Sequence, residues 1–268
     1  MMFTGKVVVI TGSSQGIGLK TAELLAKRGA KIVLNSRSDE KLKKATAYLS
    51  QFTQHVTGLA GDVSDINFCH RLRNHAIKQF EKIDILINNA GLASGGLFSN
   101  MADETYCKVF NSNVLGSLYP TMVCFNDLKT QKGSVIFISS LAGIIGLPNY
   151  SAYSASKRSI VSLAESFKNE WVDDDVFVGI NYPGFTENDE NKKIINSKGQ
   201  EVLLHKRENV RASSQEYTAG KIIYQLEKKK FRVYSTYGGR IIQLMYNFFP
   251  KTALFIIKMN RKKIMKMQ

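Results

Sequence analysis

The sequence predicts an α/β fold in which one doubly wound parallel β-sheet is flanked by helices on both faces. Short β-branched runs alternate with segments of helical spacing, and this rhythm is typical of a parallel sheet with right-handed crossovers. The length of 268 residues suits one substantial domain. A content of 44% hydrophobic and 22% charged residues indicates a globular chain rather than a disordered one.

The predicted elements follow one another along the chain, and seven strands are expected in total. Six strand-like runs are predicted, and the first of them is a continuous β-branched run, as expected for a strand buried on both faces. They are Val7–Ile10, Ile32–Leu34, Val56–Ala60, Ile83–Ile87, Val135–Ile138 and Val176–Ile180. Helical spacing marks residues 16–28, which Gly29 ends, and residues 39–49. Residues 184–214 are polar and weakly periodic, and a separate basic and apolar tail begins near Phe231.

The net charge of +15 is concentrated at the C-terminal end. Residues 228–268 contain eleven Lys and Arg and no Asp or Glu, which leaves +4 on the rest of the chain. Nucleic-acid binding is not predicted, because the tail has Phe and Met where base readout needs spaced polar groups. The cysteines Cys69, Cys107 and Cys124 suit neither a disulfide framework nor a zinc site. They indicate a reducing compartment, and no metal is predicted.

The N-terminal segment predicts a first strand rather than a targeting peptide. Its apolar run lacks a basic leader and a cleavage site. No apolar stretch reaches the roughly 18 residues of a membrane-spanning helix. We therefore expect a cytoplasmic protein, with membrane association from the cytosolic side as a further possibility that the tail raises.

A glycine-rich turn, Thr11–Gly18, joins the first strand to the first helix. Gly12 permits the sharp turn, Gly16 lets backbone approach a pyrophosphate, and Gly18 lets the helix pack closely on the strand. The free N–H groups at the helix start would bind the phosphates. The predicted dinucleotide contacts are Gly12, Ser14, Gln15, Gly16, Ile17 and Gly18. The alternative is a glycine-rich turn without a ligand.

The end of the second strand predicts a preference for NADP(H), with NAD(H) as the alternative. No carboxylate precedes Asp39, and Ser36 and Arg37 lie where a ribose 2′-phosphate would be held. The alternative is that Arg37 is only a solvated charge. Asp62, beside Val63, is a candidate for the adenine edge, or else a helix N-cap or turn residue together with Ser64.

Four polar residues form the predicted catalytic group. Tyr153 and Lys157 share one face of a helix, and a lysine ammonium beside a phenol lowers the pKa of the tyrosine. Ser140 ends the fifth strand, at the edge where open α/β sheets bind ligands. Asn113 is an amide inside a predicted helix. The small residues Asn89, Ala90 and Gly91 follow the fourth strand and would let a nicotinamide ribose approach the backbone.

Together these motifs resemble the short-chain dehydrogenase/reductase family. The matches are the glycine-rich turn at 11–18, NNAG at 88–91, Asn113, Ser140 and YxxxK at 153–157, over about residues 3–230. The resemblance implies a Rossmann-type catalytic domain at 1–235, with a substrate flap at about 185–213. The remaining residues, 236–268, are expected to form a basic amphipathic extension.

The resemblance also implies residue roles. Tyr153 would protonate the developing alkoxide, Lys157 would hold the ribose hydroxyls, and Ser140 would orient the carbonyl oxygen. Asn113 would hold a water that relays protons from Lys157. Pro183 and Gly184 would lie against the nicotinamide. The family commonly has Thr five residues beyond that Pro, where this chain has Asn188, so either Thr186 or Asn188 could contact the carboxamide.

The tail sets the substrate and partner hypotheses. Ile241, Leu244, Met245, Phe248 and Phe249 share one helical face before Pro250 breaks the pattern. This face predicts either an interfacial segment on anionic lipid or a helix packed on the body or on a partner subunit.

The preferred function is therefore reduction of a lipid-like ketone or aldehyde, or the reverse oxidation. A soluble ketoacyl or small-carbonyl reductase is the alternative, and a non-catalytic cofactor-sensing scaffold is the alternative of another class. The family resemblance implies a homo-dimer or tetramer.

Overall fold

The computed structural model describes residues 2–189, 192–204 and 212–265. Within these residues nine strands are present. They are β1 Val7–Ile10, β2 Lys31–Ser36, β3 Val56–Ala60, β4 Ile85–Asn88, β5 Ser134–Ile138, β6 Phe177–Tyr182, β7 Lys193–Ile195, β8 Glu201–Leu203 and β9 Arg232–Tyr234. In this part of the chain seven strands form one parallel sheet in the order β3-β2-β1-β4-β5-β6-β9. The predicted doubly wound sheet is confirmed.

Helices cover both faces of the sheet. They are α1 Gly16–Ala26, α2 Asp39–Leu49, α3 Ile66–Phe80, α4 Asp103–Phe110, α5 Gly116–Thr130, α6 Ser151–Glu170, α7 Gln215–Lys228, α8 Tyr237–Phe248, α9 Pro250–Met259 and α10 Arg261–Met265. The strand side chains divide between two buried clusters, one on each face of the sheet. Because chain order reverses between β1 and β4, a crevice opens at the carboxyl ends of these strands.

Two regions differ from the sequence-based expectation. The seventh strand, β9, lies where the tail was expected to begin, and Asn181 of β6 aligns with Val233. The run is only three residues long, too short to separate from the basic tail by periodicity. The region expected to be an irregular flap contains an antiparallel hairpin, β7–β8. Residues 190, 191 and 205–211 of that flap lie outside the described residues.

The C-terminal region forms three consecutive helices. α8 ends at Phe248, so the predicted break before Pro250 is confirmed. The chain then resumes a helix with Pro250 at its start, where the missing proline N–H is not needed. Among the described helices, none is both long and apolar enough to cross a membrane. Lys266 of the predicted basic tail lies outside the described residues.

Candidate functional site

The predicted site residues meet at the carboxyl edge of the sheet. The glycine-rich turn follows β1, Asn89 follows β4, and Ser140 follows β5. Tyr153 and Lys157 lie in the first two turns of α6, which packs against the turn that Ser140 starts. The strands end side by side in a parallel sheet, so residues far apart in sequence are brought to one crevice.

The glycine-rich turn fits a phosphate-binding role. A Cβ atom on Gly12 would lie 2.7 Å from the Cα atom of Ala90, and a Cβ atom on Gly18 would collide with the amide of Asn89. Gly12 and Gly16 both have φ of +61°, a backbone region that favours glycine. Gln15 precedes α1 without capping it through its side chain. The first N–H groups of α1 therefore point to a place that suits an anion.

Two side chains fix this turn against the neighbouring strands. The Oγ1 atom of Thr11 accepts hydrogen bonds from the backbone N–H groups of Asn89 and Ala90, both at 3.0 Å. The Oδ1 atom of Asn35 accepts from Gly12 N at 3.3 Å, and its amide donates to the carbonyls of Leu59 and Gly61. Asn35 was not predicted as a site residue. Its sequence signal was an amide directly after the apolar run Ile32–Leu34, and the structure extends β2 to Ser36 and so places Asn35 inside the strand.

Two of the predicted adenosine-side residues, Arg37 and Asp62, line one cavity. Arg37, Asp62 and Ser64 lie on the wall of a cavity of about 230 Å³, which Lys108 and Ser112 also line. The hydroxyl of Ser14 donates to that of Ser36 at 2.9 Å and so connects the glycine-rich turn to the end of β2. Val63 is buried beneath Gly116. These contacts bring the predicted residues together, and they do not distinguish NADP(H) from NAD(H).

The two interpretations of Asp62 can now be separated in part. Its Oδ1 atom accepts hydrogen bonds from the backbone N–H and the hydroxyl of Ser64, at 2.9 and 2.8 Å. The helix-cap interpretation is wrong, because the side chain that caps α3 belongs to Asp65. Asp62 is a turn residue at the cavity wall, and its contact with an adenine remains a prediction.

Lys157 is a buried cation at the centre of the predicted catalytic group. Its side chain is 4% exposed, and its Nζ atom donates to the carbonyl of Ile138 at 2.9 Å. Burial lowers the pKa of Lys157 to about 8, with a smaller contribution from the positive charge of Lys192 in the flap. The Nζ atom lies 5.9 Å from the ring centre of Tyr153. Lys157 therefore places positive charge beside the predicted proton donor.

Asn113 lies in a π-helical turn, Asn111–Leu115, between α4 and α5. Its Oδ1 atom accepts from Leu92 N at 2.6 Å, and its Nδ2 atom donates to Leu92 O and to the Ser156 hydroxyl, both at 2.9 Å. A Cβ atom on Gly91 would lie 2.9 Å from Asn113 Oδ1 and 3.2 Å from Lys157 Nζ. Only glycine therefore fits at position 91 without displacing one of the two side chains.

Ser140 and Tyr153 occupy the mouth of the crevice, and both are partly buried. The Oγ atom of Ser140 accepts a hydrogen bond from Ala142 N at 3.2 Å, so this side chain caps a short 3₁₀ turn, Leu141–Gly143. The preceding Ser139 is buried and donates to the carbonyl of Lys157 at 2.9 Å. This bond joins the end of β5 to α6 and fixes the separation between the serine and the tyrosine segments.

The flap begins where β6 ends, at Pro183 and Gly184. The Oγ1 atom of Thr186 lies 3.3 Å from Gly184 O and 3.3 Å from the hydroxyl of Thr218, at the start of α7. These contacts fix Thr186 on the body of the protein. Whether Thr186 or Asn188 contacts the nicotinamide carboxamide stays an open prediction. A Cβ atom on Gly16 would lie 3.3 Å from the carboxylate of Asp189, so the flap also reaches the glycine-rich turn.

Two flap carboxylates at the site were not predicted from sequence. Asp189 lies at the glycine-rich turn, and Glu201 of β8 lines the cavity next to Arg37. Neither residue belongs to a spaced motif, because the path of the flap across the crevice decides their positions. No sequence signal identified them.

Comparisons with known proteins agree with this geometry. The short chain dehydrogenase family model matches residues 6–199. An uncharacterized oxidoreductase of Thermotoga maritima is 34% identical over 190 residues, 70% of this chain and 75% of that protein. The 11-beta-hydroxysteroid dehydrogenase-like 4A of Arabidopsis thaliana is 36% identical over 69% of this chain and 62% of its own length. A 3-ketodihydrosphingosine reductase of Bos taurus is 34% identical over 68% of this chain and 57% of its own length.

A solved structure shares the fold. The short chain dehydrogenase/reductase of Burkholderia phymatum, solved in complex with NAD, superposes with a TM-score of 0.82. The superposition covers 94% of this chain and 96% of that one at 22% identity. At 22% identity, this similarity supports the fold and no statement about function. The family model, the relatives above 30% identity and the fold agree, and the chain belongs to the short-chain dehydrogenase/reductase family of oxidoreductases.

Proposed function

We propose that this protein is an NADP(H)-dependent oxidoreductase that reduces a ketone or aldehyde to an alcohol, or catalyses the reverse oxidation. The observation that carries the proposal is the burial of Lys157 beside Tyr153, next to Asn113 and Gly91 at the carboxyl edge of the sheet. A buried cation next to a phenol favours the phenolate form and so supports proton transfer by the tyrosine.

The catalytic roles follow from what each side chain can donate. A bound nicotinamide supplies the hydride. The Tyr153 hydroxyl donates a proton to the oxygen of the reduced carbonyl, and the Ser140 hydroxyl donates a hydrogen bond to the same oxygen. Lys157 holds positive charge near the tyrosine and would hold the ribose hydroxyls of a bound cofactor. Asn113 fixes Leu92 in place, and the water that it would hold completes the proton path from Lys157.

The cofactor preference rests on Arg37. The end of β2 carries Ser36 and Arg37 and no carboxylate, so a guanidinium is available for a ribose 2′-phosphate. Arg37 is 57% exposed and lines the cavity with Asp62. NAD(H) is the alternative cofactor.

The preferred substrate class is a lipid-like carbonyl, because an apolar and basic surface adjoins the mouth of the crevice. The exposed apolar side chains on α8 and α9 include Phe248, which is 71% exposed. Asn149, just before α6, donates to Met265 O of α10 at 3.4 Å and accepts from Gly96 N at 2.9 Å. Phe98, two residues after Gly96, is 76% exposed and adds a further apolar side chain to the surface near this segment.

The charge of the tail favours an anionic lipid surface as the partner of this face. Arg240, Lys251, Lys258, Arg261, Lys262 and Lys263 accompany the apolar side chains, and the segment has no acidic residue. Each basic residue near an anionic membrane contributes on the order of 1 kcal/mol. A reductase that works away from membranes, with the tail as a contact in a homo-dimer or tetramer, is the alternative.

The catalytic proposal is tested with the purified protein, NADPH and a panel of ketones and aldehydes that includes long-chain and small substrates. Tyr153→Phe is expected to lower turnover of any accepted substrate by about 10²–10⁴-fold, because it removes only the proton donor. Tyr217→Phe, an exposed tyrosine on α7, is the matched control. Turnover that persists in Tyr153→Phe overturns the mechanism, and cofactor binding without turnover of any substrate favours the scaffold alternative.

The membrane proposal is tested by sedimentation with vesicles of neutral lipid, with and without phosphatidylserine. Wild-type protein is expected to co-sediment with the anionic vesicles, and Phe248→Ser/Phe255→Ser is expected to stay in solution. Met122→Ser removes an exposed apolar side chain from α5 and serves as the control. Wild-type protein that ignores anionic vesicles contradicts the proposal.

A further inference from the structure

The β7–β8 hairpin is fixed on the cofactor side of the crevice by specific bonds. Ile195 N donates to Ala93 O at 2.9 Å, and Ala102 N donates to Ser197 O at 2.7 Å. Lys108 on α4 donates from Nζ to Gly199 O at 2.8 Å. These bonds use main-chain atoms of the hairpin, so its position does not depend on the identity of its exposed side chains.

This anchoring brings Glu201, the first residue of β8, to the adenosine cavity. Its Oε1 atom lies 3.8 Å from Arg37 Nη2, and its Oε2 atom lies 3.2 Å from Lys193 Nζ. Arg37 and Glu201 both line the cavity of about 230 Å³. Glu201 is 46% exposed, so water and salt partly screen its charge.

The chemistry of a carboxylate at this place is opposite to that of Arg37. A carboxylate accepts a hydrogen bond from a free ribose 2′-OH, whereas a guanidinium binds a 2′-phosphate. A carboxylate and a phosphate also compete for the same guanidinium, since both are anions that match its planar donors. β2 ends without an acidic residue, and the hairpin supplies one from a distant part of the sequence.

We infer that Glu201 is a second determinant of cofactor preference, acting by competition with the ribose 2′-phosphate for Arg37. The inference rests on the proposed role of Arg37 and deepens it. Arg37 favours the binding of NADP(H), and Glu201 lowers that preference, so that NAD(H) competes better for the site. The discrimination between the two cofactors is therefore a property of the Arg37–Glu201 pair rather than of β2 alone.

The experiment measures the dissociation constants of 2′-phospho-ADP-ribose and ADP-ribose by calorimetry at low ionic strength. These probes differ only at the 2′ position, and they need neither a nicotinamide nor turnover. The variants are Glu201→Gln, Arg37→Ala and the double variant. Glu170→Gln removes one exposed carboxylate from the end of α6 and serves as the matched control.

Glu201→Gln is expected to raise the preference for 2′-phospho-ADP-ribose over ADP-ribose about five-fold, because it frees Arg37. Arg37→Ala is expected to remove most of that preference. In the Arg37→Ala background, the additional change Glu201→Gln is expected to have little effect. The gain in the single variant should shrink at higher salt, and Glu170→Gln should resemble the wild type.

The possible failures are distinguishable. If Arg37→Ala leaves the preference unchanged, Arg37 holds no 2′-phosphate, and both the proposed cofactor preference and the competition fail. If Arg37→Ala removes the preference but Glu201→Gln does not change it, only the role of Glu201 fails, and the contact is a solvated surface ion pair. A gain that persists fully without Arg37 overturns the competition, because the carboxylate would then act on the ligand directly.

Discussion

Each end of the parallel sheet has a buried charged side chain, and the two side chains differ in their bonding partners. At the amino end, Asp84 is 2% exposed and accepts hydrogen bonds from Lys6 Nζ at 2.6 Å and from Val7 N at 2.9 Å. Lys82 Nζ adds a second ion pair at 3.1 Å. At the carboxyl end, Lys157 is equally buried, but among the described residues it has no ion-pair partner and donates to a backbone carbonyl.

The two buried charges differ in whether the protein itself compensates them, and we interpret this as the difference between a structural and a functional charged residue. Burial alone would raise the pKa of Asp84, but the bonds from Lys6, Val7 N and Lys82 hold it below its ordinary value. For Lys157 burial is not offset, and its pKa falls to about 8. Asp84 is thus compensated within the protein and stabilises it, whereas Lys157 costs stability in the protein alone and leaves its charge for a ligand.

The sharpest test of this contrast is Lys157→Met. Loss of the cation is expected to lower turnover by about 100-fold or more, since it supports proton transfer by Tyr153. The free energy of unfolding of the ligand-free protein at pH 7 should instead rise by about 1–2 kcal/mol, because an uncompensated buried charge is removed. Activity assays and urea unfolding measure the two effects. Lys168→Met, an exposed lysine on α6, is the control. If the Lys157→Met protein is less stable than the wild type, the buried charge of Lys157 does not destabilise the ligand-free protein.

The matching change at the other end is Asp84→Ala. It removes a buried acceptor from two lysines and from Val7 N, and should lower the free energy of unfolding by about 2–3 kcal/mol. The binding of NADPH should be unchanged in folded protein, because the residue lies at the opposite edge of the sheet. The loss should be full at neutral pH and shrink as the pH falls through the depressed pKa of Asp84. If folded Asp84→Ala protein binds NADPH more weakly than the wild type, the amino and carboxyl edges of the sheet are energetically coupled.

A third expectation concerns alkaline pH. The pKa of Lys157 is about 8 in the folded protein and 10.5 ordinarily, so between these values the unfolded chain binds more protons. Stability contributed by this group therefore rises with pH across that window. The stability advantage of Lys157→Met over wild type should narrow from pH 7 to pH 10, as urea unfolding at several pH values would measure. A constant difference would mean that Lys157 does not titrate in this range.

The smallest expected effect belongs to Asp189, the flap carboxylate at the glycine-rich turn. Asp189→Asn removes a negative charge from the place where the pyrophosphate is proposed to bind, and should tighten NADPH and NADH equally by about two- to three-fold. Fluorescence titration with both cofactors measures it, and Asp173→Asn on the exposed turn after α6 is the control. Unequal tightening would place Asp189 near the ribose instead.

The sequence predicted most of the sheet and the residues of the candidate site. Strand-like runs marked β1 to β6, and the signal was clearest for β1, since a strand buried on both faces leaves little choice of residue. The glycine-rich turn, Ser140 and the pair Tyr153–Lys157 were found because each depends on local spacing within one turn or helix. The structure brings them to one edge, while the role of each remains a proposal. The expected number of seven strands was right, but the position of β9 was not identified, because three residues carry no periodicity.

What the sequence determined by itself are the properties of short range: buried strands, the glycine turn before α1, and a helix face that carries Tyr153 and Lys157. Tertiary structure decided where the flap lies. Glu201 meets Arg37, and Asp189 meets Gly16, only because main-chain bonds fix the hairpin on α4 and the chain crosses the crevice. Main-chain hydrogen bonds are open to almost any residue type, so these contacts leave no pattern in the sequence.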